Sequence, residues 1–250
     1  MELSREQYRY FLKDAVRLTI DFRQTDQNRG VEPPPVQKPA DDGRRIDLVR
    51  PGRWQGIAGA DLEDAIARRR SRRQFRPEPL TLDELSFLLW ATQGVRERAG
   101  AFTAFRTVPS AGCRHALETY LCALNVAGLE PAVYRYLPLE HQLLVVKKHQ
   151  DLGKRTAEAA LGQAFAGRAA ATFIWTAVPY RMEWRYGLAS AKVIAIDAGH
   201  VCQNLYLACE AIGAGTCAVA AYDQELMDEL IGADGAEEFT LYLAPVGKAG

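Results

Sequence analysis

A run of arginines at positions 68–73 is the part of the sequence with the clearest chemical potential. Five of its six residues are arginine, and the other is Ser71. Guanidinium groups bind phosphate through two parallel hydrogen bonds, and a serine hydroxyl adds one more. The run therefore predicts a site for a phosphate-bearing ligand. On charge alone, a solvated helix end or a nucleic-acid patch is the favoured alternative.

Two segments of small residues could bring backbone close to such a ligand. Pro109–Gly112 combines a proline, two small residues and a glycine, which lets the backbone approach a flat molecule closely. Most strings of this kind are turns. In Gly213–Asp223 a glycine-rich turn leads into a strand of small residues, so its amides stay accessible. This is not a dinucleotide fingerprint, because the strand follows the glycines instead of preceding them.

Histidine and cysteine predict no metal site. His200 and Asn204 lie four residues apart and would share one helix face. A lone histidine in a helix is more often a satisfied structural residue than a catalyst. The five cysteines form no CxxC pair, so neither a zinc site nor a disulfide framework is expected. No P-loop, HExxH or GxSxG motif is present.

Composition restricts the function further. The chain has 250 residues, of which 48% are hydrophobic and 25% charged, as in ordinary globular proteins. Thirty-one basic residues balance 31 acidic ones, which argues against a nucleic-acid-binding protein. No apolar run approaches about 18 residues, so no membrane span is expected. The first residues lack a signal-peptide core. With reduced cysteines, these features predict a cytoplasmic protein.

The first 59 residues are predicted to form a separate N-terminal part. Apolar residues at three- and four-residue steps predict one amphipathic helix over residues 4–24. Four prolines within Pro33–Pro39 exclude a helix or a central strand. We therefore expect an extended arm or linker that leads away from the N-terminal helix. Residues 44–59 show no period and are predicted to be loop, and the folded domain is expected over residues 60–250.

The remaining elements mix helices and strands without a regular βαβ period, which favours an α+β fold. Thr81–Glu84 is a capping box that begins a helix, and Gly94 is its predicted C-cap. Residues 117–126 fit either a strand or a helix. Other helices are predicted to begin at Asp61 and to cover residues 151–164, 189–212 and 224–230. Strands are predicted over 132–136 and 142–146, paired as a hairpin, and over 170–178, 216–221 and 239–246.

Together these segments resemble the nitroreductase family of flavoproteins, in particular its SagB-type branch, which includes azoline dehydrogenases of peptide maturation. The resemblance covers about residues 61–247. It rests on the order and spacing of several strings, which are RRSRRQF at 69–75, LLWATQG at 88–94, RTVPSAG at 106–112, VYRY at 133–136, AGHVCQNL at 198–205 and GAGTCAVAAYD at 213–223.

The resemblance implies an FMN cofactor. In the family, the arginine-serine string binds the phosphate and ribityl chain, and the PSAG string contacts the isoalloxazine edge from the second subunit. The strand after the glycine turn offers an amide near flavin N5, and a basic residue near the C-terminus often completes the phosphate site. The matching positions here are Arg69, Arg70, Ser71 and Arg73, then Pro109, Ser110, Ala111 and Gly112, then Ala220 and Ala221, and Lys248.

The implied fold is a nitroreductase-like α+β fold. It has a central mixed, mainly antiparallel sheet flanked by helices, and FMN lies at the interface of a homodimer. The implied activity is ping-pong electron transfer from NADH or NADPH through FMN to an unknown small-molecule acceptor. Two alternatives stay open. One is an azoline dehydrogenase acting on a modified peptide, with Lys192 or Tyr186 as the base, and the other is a non-enzymatic binding module.

Three positions depart from the SagB-type pattern. Cys113–Ala116 stands where relatives usually carry a small-apolar-Tyr-Pro string, Lys192 has no tyrosine beside it, and Ala221 occupies a position where glycine is common. These departures bear on azoline oxidation more than on FMN binding. Arg114 and His115, which follow the PSAG string, are hypothesised to bind an acidic substrate.

Overall fold

The computed structural model of the chain describes residues 4–10, 12–57 and 59–250. Its α-helices are α1 Arg5–Tyr10, α2 Leu62–Arg68, α3 Leu82–Gln93, α4 Leu152–Ala159, α5 Tyr180–Tyr186, α6 Ser190–Ala211 and α7 Gln224–Ile231. Its strands are β1 Arg45–Asp47, β2 Val95–Arg98, β3 Ala104–Arg106, β4 Leu117–Ala123, β5 Ala132–Leu137, β6 Gln142–Lys147, β7 Ala171–Ala177, β8 Ala214–Thr216 and β9 Phe239–Lys248.

Seven of these strands form one sheet in the order β1-β6-β5-β4-β7-β9-β8. All pairings between the named strands are antiparallel. Within the described residues, parallel contact occurs only as isolated bridges, such as Ser71–Thr216. β2 and β3 form a separate hairpin that the sequence did not predict. The expected α+β fold with a mainly antiparallel sheet is confirmed.

Helices cover both faces of the sheet. Along β7, Phe173 and Trp175 belong to the core that includes residues of α3 and α6. Ile174 lies between them and belongs to the opposite core, which α4 and α7 complete. This alternation follows from the two-residue period of a strand. The long helix α6 therefore lies on one face of the sheet.

Local signals predicted several elements correctly. Thr81 Oγ1 accepts from the Glu84 amide while the Glu84 carboxylate accepts from the Thr81 amide, so the capping box begins α3 as expected. β5 and β6 pair antiparallel, which confirms the hairpin. Residues 117–123 form β4, which settles that segment as a strand. The helix predicted over residues 151–164 is shorter, since α4 ends at Ala159.

The single helix predicted over residues 4–24 is wrong. Only α1 is α-helical, and Asp14–Thr19 and Phe22–Gln24 are 3₁₀ turns; Phe11, which belonged to the predicted apolar stripe, lies outside the described residues. Leu12 and Leu18 are 75% and 89% exposed. A short helix whose apolar face finds no packing surface is marginal in water, which explains why the periodic pattern does not become one long helix.

Two other boundaries differ from the predictions. The loop predicted over residues 44–59 contains β1, which is too short to show a period in the sequence and pairs with β6. Of the strand predicted over 216–221, only Thr216 lies in β8. β8 ends there because the Ala218 amide donates to Tyr206 Oη at 2.9 Å instead of to β9, and the chain pairs with β9 again only at the isolated Val219–Leu243 bridge.

The proline-rich arm packs on its own chain. Three of its carbonyl groups accept hydrogen bonds from buried arginines, in the pairs Arg114–Pro34, Arg106–Val36 and Arg135–Pro39 at 3.1, 2.6 and 2.7 Å. A proline-rich extended chain makes no internal hydrogen bonds, so its carbonyls are available to side chains. These contacts hold the arm on its own chain. The domain division at residue 59 stays a prediction, although β1 joins the first part to the main sheet.

Candidate functional site

The arginine run begins on α2 and continues as extended chain beside β8. Asp61 caps α2, its side chain accepting from the Asp64 amide at 3.1 Å, and the helix ends at Arg68. Ser71 then forms a parallel bridge with Thr216, and the Arg72 amide donates to the Thr216 carbonyl at 2.9 Å. Most of the run is therefore fixed to a sheet edge and is not a solvated helix end.

A tyrosine of α6 holds the serine of this run. Ser71 Oγ and Tyr206 Oη are 2.9 Å apart, and Tyr206 Oη also accepts from the Ala218 amide at 2.9 Å. The guanidinium of Arg69 lies over the Tyr206 ring, 5.2 Å from its centroid, an arrangement that favours a cation. Tyr206 thus joins α2, α6 and the chain after β8. In the sequence, the one signal for this role is a tyrosine on the apolar face of a predicted helix, because a buried tyrosine hydroxyl usually finds a hydrogen-bond partner.

The guanidinium groups after Arg68 lack acidic partners. Arg68 pairs with Asp64 at 3.7 Å. In the part of the chain that the structure describes, no carboxylate lies within 4.0 Å of a nitrogen of Arg69, Arg70 or Arg73. Several guanidinium groups without acidic partners, in one short segment with a serine hydroxyl, form a donor set that suits a phosphate dianion.

Gly215 of β8 allows the arginine run to pass close to this strand. A Cβ atom at Gly215 would collide with the side chain of Arg72. Arg72 Nε is buried and has no hydrogen-bond partner within the described residues. The close crossing of Arg72 over β8 thus requires a residue without a side chain at position 215. An unpartnered buried donor beside the arginine run is a further sign that an acceptor completes this region.

The Pro109–Gly112 segment is a loop held against α6 and α5. The Ala111 amide donates to Asp197 Oδ1 at 3.3 Å, and Ser110 Oγ accepts from the His115 amide at 2.9 Å. Gly112 has a φ of 55°, and a Cβ atom there would lie 2.5 Å from Tyr186 Oη. The loop conformation therefore needs glycine, both for its left-handed backbone and for the closeness of Tyr186.

Within one chain, the loop and the arginine run lie apart. Asp197, which contacts the loop, precedes Tyr206 by nine residues on α6. At 1.5 Å per residue, this separates the two contacts by about 14 Å along the helix axis. The structure therefore does not bring the PSAG string and the RRSRR string together in one protomer. This is the arrangement expected if each serves a different subunit of a pair.

Ala220 and Ala221 present free backbone next to β9. Both residues are exposed, and Ala221 contributes its carbonyl to Gln163 Nε2 at 2.8 Å. The neighbouring Val219 amide is paired with the Leu243 carbonyl at 2.8 Å. Among the described residues, no group accepts a hydrogen bond from the amide of Ala220 or Ala221. These amides are accessible donors, as a ligand contact at this position would require.

The side chain of Lys248 is paired within the chain. Its ammonium forms an ion pair with Glu84 and donates to the Ile212 carbonyl at 3.2 Å. Its backbone does lie beside the run, because the Arg76 amide donates to the Lys248 carbonyl at 3.0 Å. In this arrangement Lys248 already has a carboxylate partner, and its role toward a phosphate stays a prediction.

Arg114 and His115 are buried beneath the loop. Arg114 donates to the carbonyls of Arg181, Phe102 and Pro34 at 3.2, 3.4 and 3.1 Å, and its guanidinium lies 4.8 Å from the Trp184 ring centroid. Burial, with the nearby positive charge of Arg106, lowers the pKa of His115 to about 3. These contacts favour structural roles for both residues, and their binding of an acidic substrate stays a prediction.

The two candidate bases occupy neighbouring elements. Tyr186 ends α5 with its hydroxyl beside Gly112, and the Arg185 guanidinium lies 5.7 Å from its ring centroid. Lys192 lies half-buried in the first turn of α6 and forms no ion pair with a described residue. His200 and Asn204 do not act as a pair, because His200 is exposed and Asn204 Nδ2 donates to the Ala91 carbonyl at 2.8 Å.

The cysteines of the described residues form no disulfide. All five cysteines are free thiols there, and burial raises the pKa of Cys122 and Cys202 to about 12. No group of three or more His, Cys, Asp and Glu side chains in these residues is placed to hold a metal ion. None of the described helices is long and apolar enough to cross a bilayer.

Relatives of known sequence place the chain in a family. The sequence profile of the nitroreductase family matches residues 66–248. A Methanocaldococcus jannaschii protein described as a nitroreductase, MJ1384, is 38% identical over 188 residues, which are 75% of this chain and 90% of that protein. The trifolitoxin operon protein TfxC of Rhizobium leguminosarum bv. trifolii is 28% identical over 166 residues, 62% of this chain and 46% of that protein.

Solved structures agree with this assignment. A Ralstonia eutropha protein described as a nitroreductase superposes with a TM-score of 0.68 at 27% identity, covering 87% of this chain and 98% of that one. The Escherichia coli microcin synthetase McbBCD complex, with truncated pro-MccB17 bound, contains a chain that superposes with a TM-score of 0.62 at 17% identity, covering 100% of this chain and 98% of that one. The latter identity shows a shared fold alone. With the family profile spanning most of its length, the chain belongs to the nitroreductase family.

Proposed function

We propose that this chain is an FMN-dependent oxidoreductase that takes electrons from NADH or NADPH and passes them to an unidentified acceptor. The observation that carries the proposal is the arginine run. Arg69, Arg70 and Arg73 have no acidic partner among the described residues and flank Ser71 in the sequence, and the guanidinium of Arg69 lies over the ring of the tyrosine that holds the Ser71 hydroxyl. A phosphate monoester with two negative charges supplies the acceptors that these donors lack.

The residues present fit FMN at both of its ends. The guanidinium groups and Ser71 suit the phosphate. The hydrogen bond between Ser71 and Tyr206 of α6 fixes the position of the Ser71 hydroxyl. The exposed amides of Ala220 and Ala221 are donors that could face a flavin ring edge. When bound, FMN supplies the hydride chemistry that protein side chains lack. The chain's own part is then to bind and orient, which needs no protein nucleophile.

We propose that a second copy of the chain completes the site. The Pro109–Gly112 loop lies about 14 Å along α6 from the Tyr206 contact, so its contact with the ring is assigned to the flavin held by the other subunit. The side of α6 that faces solvent carries Ile196, and Leu188 just before the helix is also exposed, at 47% and 75%. We expect light scattering to give the mass of a dimer. A monomer that still binds FMN would contradict this part of the proposal.

Steady-state kinetics under anaerobic conditions test the proposed activity. NADH or NADPH should bleach the flavin absorbance without an acceptor, and a quinone or a nitroaromatic compound should restore it. Double-reciprocal plots at several acceptor concentrations should be parallel, as a ping-pong scheme requires. A flavin that stays oxidised with both donors would contradict electron transfer from NADH or NADPH.

A second candidate is a SagB-type azoline dehydrogenase that oxidises a modified peptide. Similarity to the trifolitoxin operon protein favours it, and the fold of a chain in the microcin synthetase complex spans the whole of this chain, including the proline-rich arm. In this reading Lys192 or Tyr186 takes the proton. Both the acceptor class and a cytoplasmic location stay predictions.

Mass spectrometry of an azoline-containing peptide incubated with the protein tests this candidate. Oxidation to the azole lowers the mass by two hydrogens. We expect Lys192→Met or Tyr186→Phe to abolish that loss while leaving quinone reduction intact. No mass change with the wild type would contradict the second candidate, and unchanged peptide oxidation in both variants would contradict the assigned bases.

A further inference from the structure

A cavity lies beside α5 and the start of α6. It has a volume of 480 Å³, which is in the range of small-molecule sites. Most of its wall is apolar, and it opens between α5, the first turns of α6 and the segment that leads into β9. Its lining residues are mainly Ala177, Ile194, Phe239 and Leu241, with Tyr180, Glu183, Ser190 and Glu237 as its polar members.

Two carboxylates share this cavity without a cation. Neither Glu183 nor Glu237 forms an ion pair with any described residue. Burial and the charge of Glu237 raise the pKa of Glu183. Both residues are exposed and line the same cavity, and two like charges close together repel each other, so a positive group between them would be stabilised.

A buried hydroxyl gives an independent sign of a ligand. Ser190 is only 4% exposed, lines the cavity, and makes no hydrogen bond through its side chain within the described residues. Buried polar groups are almost always hydrogen-bonded. Ser190 begins α6, and its oxygen can accept from a donor that enters the cavity.

The neighbouring side chains that could satisfy these groups are engaged elsewhere. Arg181 forms an ion pair with Glu118, and Lys38 forms one with Glu238. Tyr180 donates its hydroxyl to Asp26 Oδ2 at 2.9 Å. Among these neighbours no cation is free to pair with Glu183 or Glu237, so we expect the cation to come from a bound molecule.

We propose that this cavity binds an organic cation, namely a primary ammonium group carried on an apolar or aromatic body. The ammonium would lie between Glu183 and Glu237 and donate its third hydrogen bond to Ser190, while the body would pack on Ile194 and Phe239. An ammonium has three donors, which matches the three acceptors. This binding site does not depend on FMN or on the proposed electron transfer.

Isothermal titration calorimetry of the full chain with phenethylammonium tests the proposal, with 2-phenylethanol as a neutral probe of the same shape. We expect the ammonium to bind at least about tenfold more tightly than the alcohol, because its hydrogen bonds to carboxylates are charge-assisted. Added salt should weaken the binding of phenethylammonium and leave the binding of 2-phenylethanol unchanged. Equal affinities for the two probes, or no binding of either, would overturn the proposal.

Variants locate the site. Glu183→Gln and Glu237→Gln should each weaken phenethylammonium about tenfold and leave 2-phenylethanol unchanged. Ser190→Ala, which changes no charge, should weaken the ammonium about threefold. Glu225→Gln on the exposed first turn of α7 is the matched control, and it should leave the affinities for both probes unchanged. Wild-type affinity in both glutamine variants, with unfolding midpoints showing that they are folded, would overturn the assignment to this cavity.

Discussion

Ser71 Oγ and Tyr206 Oη lie 2.9 Å apart, although 135 positions separate the two residues in the chain. The contact fixes the arginine run on α6. The same tyrosine oxygen accepts from the Ala218 amide at 2.9 Å, just after the end of β8. One hydroxyl group therefore positions both the end of β8 and the segment where a phosphate is proposed to bind.

Removal of that hydroxyl should affect both stability and ligand binding. Tyr206→Phe leaves the Ala218 amide without its acceptor, so we expect the free energy of unfolding to fall by about 1–3 kcal/mol. FMN affinity should fall roughly tenfold, because Ser71 loses its orientation. Urea unfolding and FMN titration measure the two effects.

Tyr222→Phe is the matched control for this change. Tyr222 also loses a hydrogen bond, from its hydroxyl to the Thr240 carbonyl at 2.9 Å, but it packs with the core on the opposite face of the sheet. The Tyr222→Phe variant should have a lower free energy of unfolding than the wild type and the same FMN affinity. Equal FMN affinity in Tyr206→Phe and the wild type would contradict the role given to Tyr206.

The arginines should distinguish FMN from riboflavin, which lacks the phosphate. Arg69→Ala and Arg73→Ala should each weaken FMN by about 1.5–3 kcal/mol if they make charge-assisted hydrogen bonds to phosphate, and should leave riboflavin nearly unchanged. Arg98→Ala, an exposed arginine at the end of β2, is the control. Fluorescence titration gives the affinities. Equal losses for both ligands would speak against a phosphate role.

Arg114 should matter for folding. Arg114→Ala removes three hydrogen bonds to backbone carbonyls and the contact with the Trp184 ring. We expect the free energy of unfolding to fall by about 3 kcal/mol. Arg114→Lys keeps the charge without the planar guanidinium, so its free energy of unfolding should lie between those of Arg114→Ala and the wild type. Unchanged stability together with weaker binding of an acidic substrate would restore the substrate-binding hypothesis.

His115 should make the protein less stable in mild acid. Its pKa is about 3 in the folded chain and about 6.5 in the unfolded chain. Below about pH 6.5 only the unfolded state takes up this proton, so stability falls by about 1.4 kcal/mol per pH unit toward pH 3. This loss is absent above the unfolded pKa.

Urea unfolding between neutral and mildly acidic pH checks this slope. His115→Asn should show a shallower loss of stability than the wild type over that interval. His200→Asn, which changes an exposed histidine of α6, should keep the wild-type slope. A slope in His115→Asn as steep as that of the wild type would contradict the assignment.

Sequence patterns predicted those elements whose signals are local. The capping box at Thr81, the hairpin of β5 and β6 and the long helix α6 each follow from spacing within a few residues. The N-terminal helix failed because its apolar stripe, including Leu18, finds no surface to pack on. Periodicity shows that a helix would be amphipathic, but tertiary packing decides whether it forms.

The same limit applies to the candidate site. The arginine run and the PSAG string are contiguous and could be recognised, but Tyr206 becomes part of the site only through a contact across 135 positions. Arg114 looked available for a substrate because the sequence does not show that the carbonyl of Pro34 lies within hydrogen-bond distance of its guanidinium. Pairings of this kind depend on the tertiary fold.

The absorption spectrum of the purified protein in the near-ultraviolet and blue tests the central claim most directly. If the chain is an FMN-dependent oxidoreductase, two flavin bands should be present, or should appear with altered shape when FMN is added. Denaturation should then release FMN, one molecule per chain. A spectrum that stays flat in the purified protein, with added FMN remaining entirely unbound, would contradict the claim and leave the arginine run to another phosphate-bearing ligand.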